Sequence, residues 1–131
     1  MKRAILLLPF LALVGCNQSP PKPDMPISEV HPTPVCEGAS QCSEMWGRAI
    51  EGVTMVTGMK VMSANETFIQ TFPSRKVGYL NGRVYKQSLG GEKYEIKGTF
   101  DCLPYDWCNN FRNKTQSAFN IYVQGYIPLK K

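Results

Sequence analysis

Four cysteines set as two equal pairs, Cys36 with Cys42 and Cys102 with Cys108, constrain this chain more than anything else in it. Each pair has C-x5-C spacing, wider than the C-x2-C pairs of most metal clusters and unlike the C-x-x-C of redox enzymes. Two disulfides are therefore expected, with no metal and no cofactor. The region they organise, residues 36–131, is near the lower end of common domain sizes and has room for only a modest core. Crosslinks then matter to its stability. In a chain-entropy picture a bond closing about 60 residues contributes ~4.3 kcal/mol, against ~2.4 kcal/mol for a loop of about seven. That difference favours a crossed pairing, Cys42 with Cys102 and Cys36 with Cys108. The local pairing, Cys36 with Cys42 and Cys102 with Cys108, is the alternative.

The fifth cysteine belongs to another part of the chain. Residues 1–15 have a basic start at Lys2-Arg3, an apolar run over residues 4–13 interrupted by Pro9, and Gly15 directly before Cys16. About ten apolar residues fall well short of the ~20 that a membrane-spanning helix needs, so the segment reads as a removable leader. The stretch Leu13-Val14-Gly15-Cys16 resembles the lipobox of bacterial lipoproteins, the substrates of lipoprotein signal peptidase, and the resemblance covers residues 1–16. It implies that Cys16 becomes the first mature residue, with a diacylglyceryl group on its sulfur and an acyl chain such as palmitate on its amine. Two or more chains anchor a protein stably where one does not. Asn17 stands where an aspartate would mark inner-membrane retention in the enteric class. The resemblance thus implies an outer-membrane lipid anchor with the domain facing the periplasm, where disulfides persist.

Loss of Lys2 and Arg3 leaves 13 basic and 10 acidic residues, a formal charge of +3. This mild, unclustered excess points away from nucleic acid and is compatible with anionic lipid headgroups or the cell wall. Residues 16–35 form a linker containing Pro20, Pro21, Pro23, Pro26, Pro32 and Pro34. So many prolines make a semi-rigid spacer that reaches, at ~3.1 Å per residue, on the order of 60 Å. His31, the one histidine of the chain, lies in this spacer and is expected to be solvated and inert. A hydrolase triad of the usual kind then has no base, and a histidine zinc site has no ligands.

Residues 36–131 read as one α+β domain, an N-terminal helix packed on an antiparallel meander of four or five strands, with a small closed barrel as the alternative. The helix is predicted over residues 40–57, capped by Ser40 or Ser43, with Glu44 in its first turn and Gly58 after its last. Cys42, Met45, Trp46, Ala49, Val53 and Val56 recur on one face of it. Short strands follow at residues 59–63 and 67–72 around a turn at Asn65, or one kinked strand spans both. Asn81-Gly82 predicts a two-residue hairpin turn pairing residues 76–80 with 83–88. After Gly90-Gly91, the alternation of Tyr94, Ile96, Gly98, Phe100 and Cys102 gives one strand a buried face. Residues 103–116 read as irregular, and residues 118–126 as a last strand.

No catalytic motif is present. Asp101 and Asp106 flank Cys102, but nearness in sequence does not set the carboxylate separation that glycoside cleavage requires. Met45, Met55, Met59 and Met62 suit core filling better than copper ligation. The segment between Cys102 and Arg112 is the best recognition candidate, because Tyr105, Trp107, Phe111 and Arg112 are of the types that dominate binding hot spots. In general build the chain looks like the Rcs envelope-stress sensor lipoprotein and lysozyme-inhibitor lipoproteins, without sharing their motifs. The expectation is a non-enzymatic lipoprotein that binds another envelope protein, as an assembly accessory, exclusion factor, stress sensor or hydrolase inhibitor. A glycan or small-ligand binder stacking on Tyr105, Trp107 and Phe111 is the alternative, and a cell-wall-acting enzyme the remoter one.

Overall fold

The computed structural model describes residues 30–77, 79–102 and 108–125. Within them the chain builds an α+β domain from one open antiparallel sheet and two helices. Strand β1 (Val35–Glu37) leads into helix α1 (Ala39–Thr57). Then β2 (Val61–Ala64), β3 (Phe68–Thr71), β4 (Asn81–Gly90) and β5 (Lys93–Asp101) run as the expected meander, and helix α2 (Asn109–Gln124) follows. The sheet order is β1-β5-β4-β3-β2, so α1 carries the chain across the sheet from one edge to the other. The sheet is open, not a barrel. Nor is the helix N-terminal and single: a strand precedes it and a second helix follows.

Both helices cover the same face. Gly82 pairs with Phe100 and Val84 with Gly98, which puts all four side-chain positions on one side of the sheet. A methyl group on Gly82 would lie 2.4 Å from Val53 Cγ2 of α1, and one on Gly98 would lie 2.9 Å from the Phe119 ring of α2. Each helix thus seats a residue in a notch made by a glycine. The core between the layers is Met45, Ala49, Val53, Ile69, Val84, Ile96, Phe100, Phe119 and Val123, with Phe100 and Phe119 edge to face at 5.4 Å.

This use of Gly82 explains why the expected two-residue turn does not form. Asn81-Gly82 is the start of β4, not a turn, because Gly82 is needed where α1 crosses the strand. The turn read at Gly90-Gly91 is present and joins β4 to β5, with both residues at positive φ. Asn81 acts through its side chain, accepting the Ser74 backbone N–H and holding the 72–80 connection against the strand.

Helix α1 occupies nearly the predicted span, with its expected stripe inward and Gly58 as a left-handed C-cap. Its start differs. Gly38 is the N-cap, neither Ser40 nor Ser43 caps it, and Glu44 lies beyond the first turn, paired with Arg48 at 2.7 Å. Gly52 allows the two helices to approach, since a methyl there would meet Tyr122 Cδ1 at 3.0 Å. Arg48 of α1 then donates from Nε to the Val123 carbonyl of α2 at 2.9 Å. A cation at a helix C-terminus is favourable by about 0.3–1 kcal/mol.

Residues 118–126 were expected as a strand, but α2 covers this region as far as Gln124. Its buried positions, Phe119, Asn120 and Val123, follow the helical repeat. The disulfides are local, Cys36–Cys42 and Cys102–Cys108. The crossed pairing fails on distance. Cys42 and Cys102 both face inward, but Cys42 belongs with Tyr94 and the beginning of β5, while Cys102 follows its end. Eight residues of strand hold those points about 26 Å apart.

The end of the proline-rich segment is part of the structure. Pro34 is buried and its carbonyl accepts the Ile96 N–H at 2.9 Å. His31 is half-buried and tied by its main chain to α2: its N–H donates to Ser117 Oγ at 2.9 Å, and its carbonyl accepts from the buried Asn120 amide at 2.6 Å. It is thus not fully solvated.

Candidate functional site

The two ends of the sheet differ in construction. At one end lie the Gly90-Gly91 turn, the β2-to-β3 turn at Asn65 and the start of α1; we call this the turn end. At the other lie the 72–80 connection, the end of α1, and the Cys102–Cys108 bond that leads into α2; this is the loop end.

A cleft of about 400 Å³ opens at the turn end between α1 and the strands. Its construction begins with Cys36–Cys42, which ties β1 to the first turn of α1, while Gly38 N–H donates to the Glu92 carbonyl at 3.0 Å. One turn further along α1, Trp46 packs into the core and its indole N–H donates to the Asn65 carbonyl at 2.9 Å. Asn65 in turn accepts the Thr67 and Phe68 N–H groups on its side-chain oxygen, each at 2.9 Å, and so forms the turn. These links fix the walls.

Lys86 projects from β4 into this cleft. Its ammonium lies 5.8 Å from the Trp46 ring centroid and 5.3 Å from that of Tyr94. Such contacts contribute about 0.5–2 kcal/mol each, depending on desolvation, and leave the ammonium hydrogens free to donate. Glu66, Glu92 and Ser43 also line the cleft, yet among the described residues no carboxylate forms an ion pair with Lys86. The arrangement suits an acidic or acceptor-bearing group beside an aromatic wall. Strand alternation alone decides which face of the sheet Lys86 occupies. In the structure it stands opposite Ile96 on the helix-covered face.

A smaller cavity of about 210 Å³ lies toward the loop end beside Pro73, Asn81, Arg83 and Asp101. Asp101, one half of the carboxylate pair considered from sequence, is joined to Arg83 at 3.0 Å. Asp106 lies outside the described residues, and so do Tyr105 and Trp107. Phe111 is described and 59% exposed in the first turn of α2. Arg112 is half-buried, with Nη2 3.8 Å from Cys108 Sγ, and its buried Nε has no hydrogen-bond partner among the described residues. The methionines do not converge: Met45 is core, whereas Met55 and Met62 are exposed. Among the described residues no cluster of His, Cys, Asp and Glu has the form of a metal site, and no helix is long and apolar enough to cross a membrane.

Sequence reading missed the cleft because its parts come from three separated stretches. Only Trp46, an aromatic on the inward stripe of α1 near the first disulfide, gave a usable signal. The fold is a two-layer α+β open-faced sandwich. Comparison of the chain with protein-family models, curated proteins and solved structures finds no match.

Proposed function

We propose that this chain is an outer-membrane lipoprotein, anchored through Cys16, whose periplasmic domain binds another envelope protein without catalysing a reaction. The observation that carries the reading is Lys86, held over two aromatic rings in a rigid cleft at the turn end. A lysine presented this way is a preorganised donor for a carboxylate or carbonyl of a partner, and Tyr94 offers the apolar surface that hot spots use. The leader and Cys16 support the address, and the two disulfides suit the oxidising compartment that it implies.

The test is in-cell photo-crosslinking from Ser43, on the rim of the cleft, with Lys86→Ala as the control. One envelope protein should be trapped by the parent chain and lost, by about tenfold or more, in the variant; loss of a hydrogen bond to a charged donor of ~1.5–3 kcal/mol has that size. Equal trapping by both chains removes the cleft from the reading. Adducts with glycan fragments alone would favour the glycan-binding alternative.

A further inference from the structure

We propose that the loop end docks on an anionic lipid surface, the headgroup layer of the membrane that holds the chain's own N-terminal anchor. The inference rests on the lipoprotein reading for its membrane, and adds which face of the domain meets it.

The first observation is apolar exposure. The 72–80 connection presents Phe72 at 49%, Val77 at 61% and Tyr79 at 49% exposure, while Leu80 and Ser74 anchor it inward. The connection is held in shape by the Asn81 side chain on the Ser74 N–H, and by Ser74 Oγ accepting the Lys76 N–H at 3.2 Å. The described residues of this connection thus present three exposed apolar side chains beside a hydrogen-bonded base, which suits insertion among headgroups.

The second is charge. Lys60, Arg75 and Lys76 are exposed at the same end, and Lys76 Nζ lies 5.9 Å from the Tyr79 ring centroid. The described carboxylates on that half are already engaged, Asp101 by Arg83 and Glu51 by the Tyr122 hydroxyl. Glu37, Glu66, Glu92 and Glu95 all lie toward the turn end. An anionic surface therefore meets unopposed positive charge at the loop end, whereas at the turn end Lys86 and Lys93 stand among carboxylates. Interleaved aromatic and cationic side chains are what a headgroup layer accepts.

The third is the path of the chain. Because β1 is antiparallel to β5, the chain read back from Val35 past Pro34 to His31 runs from the turn end toward the loop end. Val30, the first described residue, is 14 positions from Cys16. That stretch spans at most about 50 Å. The tether leaves the domain heading for the basic, apolar end, with reach enough to let that end touch the bilayer.

Vesicle flotation tests this with the mature chain from residue 16 carrying Cys16→Ser, so that no acyl chain contributes. The chain should float with phosphatidylethanolamine vesicles containing phosphatidylglycerol, remain behind with phosphatidylcholine alone, and come off in high salt. Arg75→Ser with Lys76→Ser should weaken flotation about thirtyfold, and Phe72→Ser with Val77→Ser should weaken it at least about tenfold. Both pairs are exposed, so folding is preserved. Absence of flotation with phosphatidylglycerol, or flotation unchanged in both variants, overturns the inference. So does a chain that never floats but loses a crosslinked envelope protein in the same variants, which would assign the end to a protein. Palmitate labelling of wild-type Cys16 is scored separately: its absence overturns the lipoprotein reading, while flotation still decides the surface.

Discussion

At the turn end, strands finish in tight turns, a disulfide clamps the start of a helix, and a lysine is drawn inward over two rings beside carboxylates. At the loop end the same sheet finishes in the 72–80 connection, a disulfide clamps the start of the other helix, and apolar and basic side chains point outward. The plan is the same and the surfaces are opposite. One is a cleft with its cation drawn between aromatic walls, suited to a specific group on a partner; the other carries exposed Lys60, Arg75 and Lys76 among exposed apolar side chains, suited to a surface without fixed shape. A small domain can carry both only if the frame between them is rigid, and the two glycine notches supply that frame.

The largest effect is therefore expected at the frame. Gly82→Ala places a methyl 2.4 Å from Val53 Cγ2, so strand or helix must shift. Overpacking of this kind costs about 1–3 kcal/mol, and thermal unfolding should show a midpoint lowered by roughly 5–20 °C. Cleft and loop end should lose function together. A variant of parental stability would show that α1 does not bear on β4 as described.

Next in size are the disulfides, each closing a short loop with an expected contribution of about 2.4 kcal/mol. Equal costs with unequal consequences would sharpen the contrast between the ends. Cys36→Ala with Cys42→Ala should abolish crosslinking from Ser43 and leave flotation intact, and Cys102→Ala with Cys108→Ala should do the reverse. If either pair disturbed both ends equally, the two surfaces would not be separate units.

Much of the frame was legible in the sequence, and the reasons for the misses are local. The inward stripe of α1 and the alternation of β5 each place apolar residues at the period of their element, so both were readable. Helix α2 was not, because residues 118–126 are rich in aromatic and β-branched types while Asn120 occupies a buried helical position. Its amide serves the tether. Asn81-Gly82 has the composition of a turn, yet contact with α1 outranks local propensity there. The cleft depended on residues far apart in sequence meeting, which no local pattern records, and the loop-end residues, though contiguous, lie in a stretch with no period to show which side chains face outward.

Asn120 gives a smaller test, of the tether's direction. Asn120→Ala removes the donor to the His31 carbonyl and should cost about 1–2 kcal/mol in denaturant unfolding. Hydrogen exchange should show residues 30–34 released while β4 and β5 stay protected. If residues 30–34 stayed equally protected, Asn120 would not hold the chain on its path to the loop end.

The smallest effect is at the waist between the ends, where Tyr122 donates its hydroxyl to Glu51 at 2.9 Å. That hydrogen bond is the chief reason the Tyr122 pKa is raised above its ordinary 10.0; desolvation and repulsion from Glu51 add to it, and Arg48 opposes it. A raised value means that the folded state keeps the proton longer than the unfolded chain does. The stabilisation is therefore fully present below pH 10 and is lost as pH rises through and beyond that value. Tyr122→Phe should be slightly less stable than the parent at neutral pH, and the gap should close as the solution is made alkaline. Urea midpoints across the alkaline range would show it. A gap that stayed constant with pH would mean that the helices are joined at the waist by packing and by Arg48 alone, and that the frame holding the two ends apart does not depend on this proton.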